Sequence, residues 1–546
     1  MTCKQVHTFS NTNIHLKGEF KLSFSKNNNS NSPESKKNKT KDPLLKSLAE
    51  NVKIIKKAMG NSNDIIIREV DILKTDKQRI AIIYADGLAD KTAITDFIME
   101  SLMLDLDIDS TPETRGEDII QYLKNFCLTV GDVEDVTDLQ SVYRAVLNGE
   151  TVILLDGQTK AIATSTKSSK DRAISQPSTE SVIRGPQESF TETLRTNTAL
   201  IRRKIKDPNL WIKSRIIGDI TQTDVAIMYI NGIANDKIVK EVLERLDQID
   251  IDGILDSGYI EELIQDSKFS PFPTVYNSER PDVIAAALLE GKVAIIVDGS
   301  PFVLIVPALF PAFLQAAEDY YQRSIISTLI RILRYGGIFV SLMVPSLYIS
   351  ITTFHQEMIP TPMLISIALQ REGVPFPAFI EAILMEIAFE ILREAGLRMP
   401  RVIGPAVSIV GTLIIGQAAV EAGIVSAVMV IIVSITAICS FLSPAYAMSN
   451  SIRMLRFPLM ILASMFGLFG IMMGAFAIIL HVCSLRSFGI PYTAPFAPLI
   501  PSDQKDAIVL FSRDSLLTRP RLVNQKNVTR EQKQVRKKGR SDLGES

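Results

Sequence analysis

From Arg331 to Val482 the chain carries no Lys and no Asp. Its only charges over these 152 residues are eight Arg and seven Glu, less than half the chain-wide density of 22%. Water-soluble domains do not close their surface with so few charges. A soluble cytoplasmic enzyme is therefore excluded, and this half is expected in a bilayer. About 20 apolar helical residues cross a hydrocarbon core of about 30 Å. Tyr335–Phe354, Val402–Val420 and Ile424–Leu442 have that length, and Phe457–Val482 is longer and is expected to tilt. Glu421-Ala422-Gly423 makes a hairpin turn between the second and third. Gly470 and Gly474 form a small-xxx-small pair for close helix packing, with Gly467 nearby.

A fifth apolar segment, VPFPAFIEAILMEIAFEILREAGLRMPR (374–401), opens on Pro375 and Pro377, which suit a helix start. It carries Glu381, Glu386, Glu390, Arg393 and Glu394. Glu386, Glu390 and Glu394 are spaced i, i+4, i+8 and share one face, and Glu390 and Arg393 have the spacing of a pair. Ionisable groups at bilayer depth cost about 2.5–3.5 kcal/mol each, so they face water or protein. Two readings follow: a lumen-facing acidic stripe, or an amphipathic helix lying in the interface. Arg323, Arg331 and Arg334 assign the preceding half to the cytoplasm. Four spans with a re-entrant Glu-rich segment return the basic tail, including KQVRKKGR (533–540), to the same side, but leave Arg453 and Arg456 outside. A spanning Glu-rich segment moves the tail out.

The preceding half repeats itself. NVKIIKK (51–57) matches NTALIRR (197–203), AIIYADGLADK (81–91) matches AIMYINGIANDK (226–237), and AVLNGETVILLDG (145–157) matches ALLEGKVAIIVDG (287–299). Each copy predicts a helix, a β-branched strand ending at a Gly turn, one or two helices, and a second strand ending in Asp-Gly. The fold class expected is an α/β (α+β) soluble half of two related subdomains, followed by an all-α polytopic membrane domain. The divisions are a disordered Lys/Asn-rich arm (1–43), copy 1 (44–163), a polar linker (164–189), copy 2 (190–306), a juxtamembrane connector (307–334), the membrane domain of four to five spans (335–482) and a cytoplasmic tail (483–546). The start shows no signal-peptide pattern.

Asp86, Asp156 and Asp298 each sit at a strand end beside or within a Gly turn, and read as turn residues. No phosphate loop or nucleophile elbow accompanies them. The four Cys (Cys3, Cys127, Cys439, Cys483) and four His are scattered, without zinc spacing. No catalytic, cofactor or metal site is expected, and no nucleic-acid partner. Glu318, Asp319, Tyr320, Tyr321 and Arg323 precede the first span, where Tyr suits the interface and a role in coupling the two halves is a candidate.

Several segments resemble the A subunit of the spore germinant receptors of endospore-forming bacteria (GerA type). They are RTNTALIRRKIKDPNL (195–210), SERPDVIAAALLEGKVAIIVDGSPFVLIVPALF (278–310), AEDYYQR (317–323), residues 374–404, SIVGTLIIGQAAVEAGIVS (408–426) and SFGIPYTAPFAP (487–498). The resemblance implies a protein of the inner membrane of the spore. It implies a transporter-like nutrient-binding B subunit and a lipoprotein C subunit as partners. The A subunit would form an oligomeric, ion-conducting part that nutrient opens to release monovalent cations. A sister branch amplifies the ion signal, and a non-conducting scaffold is the alternative. The pore role falls on Glu381, Glu386, Glu390 and Glu394, since rings of Glu select cations. Arg393, Arg398 and Glu421 are alternatively structural pairs.

Overall fold

The computed structural model describes residues 42–71, 79–99, 132–168, 176–398, 416–524 and 527–530. The Lys/Asn-rich arm up to residue 41, most of the expected span 402–420 and the basic run 533–540 lie outside the described residues.

Each copy builds one five-stranded antiparallel sheet. The first joins β1 (Ile65–Asp71), β2 (Arg79–Ala85), β3 (Val133–Val136), β4 (Thr151–Leu155) and β5 (Ala161–Thr164) in the order β1-β2-β4-β5-β3. The second repeats that order as β6-β7-β9-β10-β8, from β6 (Leu210–Ile217), β7 (Thr223–Ile230), β8 (Tyr276–Ser278), β9 (Val293–Val297) and β10 (Val303–Val306). The strands legible in the sequence, β2, β4, β7 and β9, lie inside the sheets and are buried on both faces, so they read as apolar runs. The outer strands β1 and β6 keep polar residues and carry a weaker signal.

Side chains alternate between the two faces of each inner strand. Ala81, Ile83 and Ala85 pack on α1 (Leu48–Ala58) and α2 (Leu139–Leu147), while Ile80, Ile82 and Tyr84 face the helical turns at Ile94–Met99. In the second subdomain Ala226, Met228 and Ile230 pack on α3 (Leu194–Lys204) and α6 (Pro281–Leu289). Val225, Ile227 and Tyr229 face α4 (Asp236–Asp247) and α5 (Ser257–Ile264).

The duplicated Asp-Gly pairs have a shared structural task. Asp156 Oδ1 accepts the N–H of Leu48 at 3.0 Å, and Asp298 Oδ1 accepts that of Leu194 at 2.9 Å. Each aspartate thus ties a strand end to the free N–H groups at the start of its subdomain's first helix, where negative charge is stabilising. Gly157 and Gly299 follow with φ of 82° and 87°, which L side chains adopt at a cost. Asp86 instead pairs with Lys91 at 3.0 Å and reaches Arg195 of the second copy at 3.7 Å.

The two subdomains are pinned by a buried ion pair, Arg202 Nε to Asp64 Oδ2 at 2.7 Å, with side chains 1% and 3% exposed. Beside it Trp211 donates from Nε1 to the carbonyl of Ala58 at 3.3 Å and lies over Gly60.

The second half is helical. Among the described residues, α7 (Ser324–Thr353) and α11 (Tyr446–Ser484) are long and apolar enough to cross a membrane. Between them lie α8 (Thr361–Arg371), α9 (Ala378–Arg398) and the short apolar α10 (Ala427–Ser440). The expected single span 457–482 is instead a hairpin. Gly467 leaves the helical region at φ 62°, ψ −142°. A Cβ on Gly470 would lie 2.2 Å from the Leu462 carbonyl oxygen, and one on Gly474 would lie 2.5 Å from Leu459. Residues 15 positions apart are about 22 Å apart along a straight helix, so arms 446–466 and 468–484 fold back on each other.

That hairpin brings the tail back to the α/β half. Its tip at Gly467 touches Phe354 and His355, at the end of α7. At the other end Ser451 donates to the Pro271 carbonyl, and His481 Nε2 lies 2.9 Å from Ser270 Oγ. The chain then forms a short hairpin of β11 (Arg486–Ser487) and β12 (Ile490–Pro491), and Phe488 and Val523 enter the core of the second subdomain.

Candidate functional site

Two groups of charged side chains converge where the sequence placed its candidates. The first is a row of ion pairs inside the helical bundle. α9 buries Ala378, Glu381, Ala382 and Glu386, and exposes Leu384, Ile387, Ile391 and Leu397. Its polar face is turned inward and its apolar face outward, the reverse of a surface helix in water.

Each carboxylate on this helix has a guanidinium partner. Glu381 accepts the N–H of Ser426, at the start of α10, at 2.9 Å and lies 3.2 Å from Arg371 at the end of α8. Glu386 is fully buried, pairs with Arg456, and accepts the Thr436 hydroxyl at 3.5 Å. Arg456 donates onward to Ser341 Oγ of α7 at 2.9 Å. Glu390 takes Arg453 at 3.1 Å and Arg393 at 3.3 Å. Glu394 stands apart, exposed and paired with exposed Arg398 at 2.7 Å.

α9 therefore lies among four helices rather than beside them. Ile349, Ala382, Met429, Val433, Met460, Ala463 and Ile471 form one core with contributions from α7, α9, α10 and both arms of α11. Gly470 and Gly474 sit between those arms, against Leu459 and Leu462.

The second group lies where α7 meets the α/β half. Asp319, 1% exposed, accepts Arg331 Nε at 3.0 Å and Arg334 NH1 at 2.7 and 2.9 Å. Arg331, 0% exposed, also donates to Asp506 Oδ1 of the tail at 2.9 Å. Tyr320 donates its hydroxyl to Asp506 at 3.0 Å. Burial pushes the Asp506 carboxyl and the Tyr320 hydroxyl up from their ordinary values. Tyr321 donates to Asp282 at 2.6 Å, and Asp282 pairs with buried Arg280 at 2.7 Å. Glu318 lies 4.0 Å from Arg334, and Arg323 is exposed at the helix start. Connector, first membrane helix, tail and second subdomain thus share one network.

Arg280 extends the network to the linker, donating to the carbonyls of Glu180 and Pro186 at 3.2 Å each. Burial raises the Glu180 carboxyl to about 7.

Sequence reasoning missed the partners. Arg453 and Arg456 read only as a topological anomaly, although their i, i+3 spacing in an apolar helix matches the i, i+4 spacing of Glu386 and Glu390. Asp506 and Asp282 carried no local signal at all, because both meet their partners only through the tertiary fold. Among the described residues, no group of three or more His, Cys, Asp or Glu is arranged to hold a metal ion.

The duplicated antiparallel α/β half, seated on a bundle of apolar helices with charge pairs in its interior, defines a membrane protein with a large folded extramembrane half. Residues 53–522 match the family described as Bacillus/Clostridium GerA spore germination protein, and the chain belongs to that family. Spore germination protein KA of Bacillus subtilis (strain 168) is 49% identical over 490 residues, 90% of this chain and 89% of that protein. The uncharacterized membrane protein YfkQ of the same organism is 45% identical over 467 residues, 86% and 89% of the two chains. The crystal structure of the N-terminal domain of the A subunit of the Bacillus megaterium spore germinant receptor GerK3 is 41% identical, covering 50% of this chain and 98% of that one, with a TM-score of 0.40.

Proposed function

We propose that this protein is the A subunit of a spore germinant receptor and, as a homo-oligomer, forms its cation-conducting part in the inner spore membrane. The observation that carries this reading is α9, which turns carboxylates inward and apolar residues outward in a germination-family protein. Acidic side chains at bilayer depth are costly, are kept facing protein or water, and characteristically mark ion pathways. One such helix does not enclose a lumen, so several copies are required, arranged by closed rotational symmetry. The α/β half lies in the cytoplasm and docks the receptor's other parts, a transporter-like nutrient-binding B subunit and a lipoprotein C subunit. The Asp319–Arg331–Asp506 network transmits their movement to α7.

The pairing of Glu381, Glu386 and Glu390 with arginines of the same chain favours a second reading, a scaffold that does not conduct. Reconstitution separates the two. Full-length protein enters potassium-loaded liposomes with and without the partner subunits and nutrient, beside Glu386→Gln and Glu390→Gln. Potassium efflux that these substitutions alter supports the conducting role. Properly inserted, oligomeric protein that stays silent in the complete receptor with nutrient present supports the scaffold.

A further inference from the structure

The acidic residues of α9 meet a basic row of matching pitch. Glu386 and Glu390 are one turn apart, as are Arg456 and Arg453 on the antiparallel arm 446–466, so the rows meet rung by rung. Glu381 is neutralised by Arg371 at 3.2 Å. Three buried or half-buried carboxylates therefore face three guanidinium groups from other helices, and Arg393 adds a fourth. Among the described residues, each inward carboxylate of α9 is thus offset by a guanidinium rather than left free to attract a cation.

Structural stability is a poor reason for such pairs, because well-packed apolar residues in place of a buried ion pair are often neutral or stabilising. The rungs are also incompletely satisfied: among the described residues, Nε of Arg453, Nε of Arg456 and Oε1 of Glu390 are buried without a hydrogen-bond partner. A contact that is costly, polar and unfinished is one that can be exchanged for another. Arg453 and Arg456 lie on the arm 446–466, which ends at Gly467, the only residue of α11 outside helical φ/ψ, so the backbone between the two arms is not held by a continuous helix.

We infer that Arg453 and Arg456 are gating counter-charges: they hold the acidic face of α9 neutral within the subunit, and conduction requires Glu386 and Glu390 to leave them. The inference rests on the conducting role proposed above.

The test is resting potassium efflux from liposomes containing the full chain, without nutrient. Arg456→Gln and Arg453→Gln each raise the resting leak about tenfold, the factor produced by a bias of about 1.4 kcal/mol on the gate. The charge swap Glu386→Arg/Arg456→Glu restores a closed resting state. If the single Arg variants insert and assemble but leak no more than wild type, while wild type conducts with partners and nutrient, the counter-charge role is overturned. If Arg456→Gln is not recovered in the membrane, the swap decides: a closed, assembled swap supports the pairing, and an unrecovered or leaking swap overturns it. If no form conducts even in the complete receptor with nutrient, the conducting role itself fails and the gate falls with it.

Discussion

Replacing Asp319 by Asn removes the carboxylate that, among the described residues, Arg331 and Arg334 share. Asp319 accepts from both guanidinium groups at 2.7–3.0 Å while only 1% exposed. Breaking a buried ion pair costs about 3–5 kcal/mol, because a charge is left without its partner. Arg331 keeps Asp506 at 2.9 Å and Arg334 keeps the Leu314 carbonyl at 3.3 Å, so the loss falls at the lower end, about 3 kcal/mol. At about 2–4 °C per kcal/mol for a large domain, the midpoint of thermal unfolding falls by about 6–12 °C. The assay is thermal unfolding of the full-length protein in detergent, followed by loss of the monodisperse peak on size exclusion. Glu318→Gln is the control, since that pair is 4.0 Å apart and partly exposed, and such pairs contribute about 0–1 kcal/mol. A drop of less than about 2 °C for Asp319→Asn would mean that solvent or a rearranged tail replaces the carboxylate, and would refute the reasoning from burial.

Gly60→Ala should separate the subdomains: its Cβ would lie 2.1 Å from the Trp211 ring at φ 66°, and increased proteolysis between residues 164 and 189 would report it. Gly467→Ala should reduce recovery of assembled protein from membranes, because φ 62°, ψ −142° is a glycine region that costs other residues about 1–3 kcal/mol and the Cβ would meet His355 at 2.8 Å. The linker should loosen as pH rises. Glu180 is held protonated by burial up to about 7, above its ordinary 4.5, so the folded state binds the extra proton and its advantage is lost as pH passes through 7. Limited proteolysis near residues 176–189 should therefore be faster at pH 8 than at pH 6, and Glu180→Gln should abolish the difference.

The inner strands, both copies of the repeat and the apolar character of the second half were legible because each is a local pattern. β2 and β7 are apolar runs rich in β-branched residues, and the three matching segments keep their order. The edge strands were not legible: Ile65–Asp71 mixes charge with apolar residues, and β8 is three residues long. The hairpin at Gly467 was hidden by composition, since the residues on both sides of it, 457–466 and 468–482, are apolar and a single glycine is ordinary in a membrane helix.

What the sequence determined by itself was the division of labour: a duplicated α/β half, an apolar helical half, and carboxylates on one helix where lipid makes them costly. Periodicity and composition carry that information, because burial imposes it residue by residue. Only the tertiary structure decided which charges meet. Arg456 is 70 positions from Glu386, and Asp506 is 175 from Arg331. Pairing at such separations depends on where the chain reverses, and in α11 the reversal rests on the backbone of one glycine. Once it turns there, the two arginines face the acidic helix and the tail returns to the α/β half.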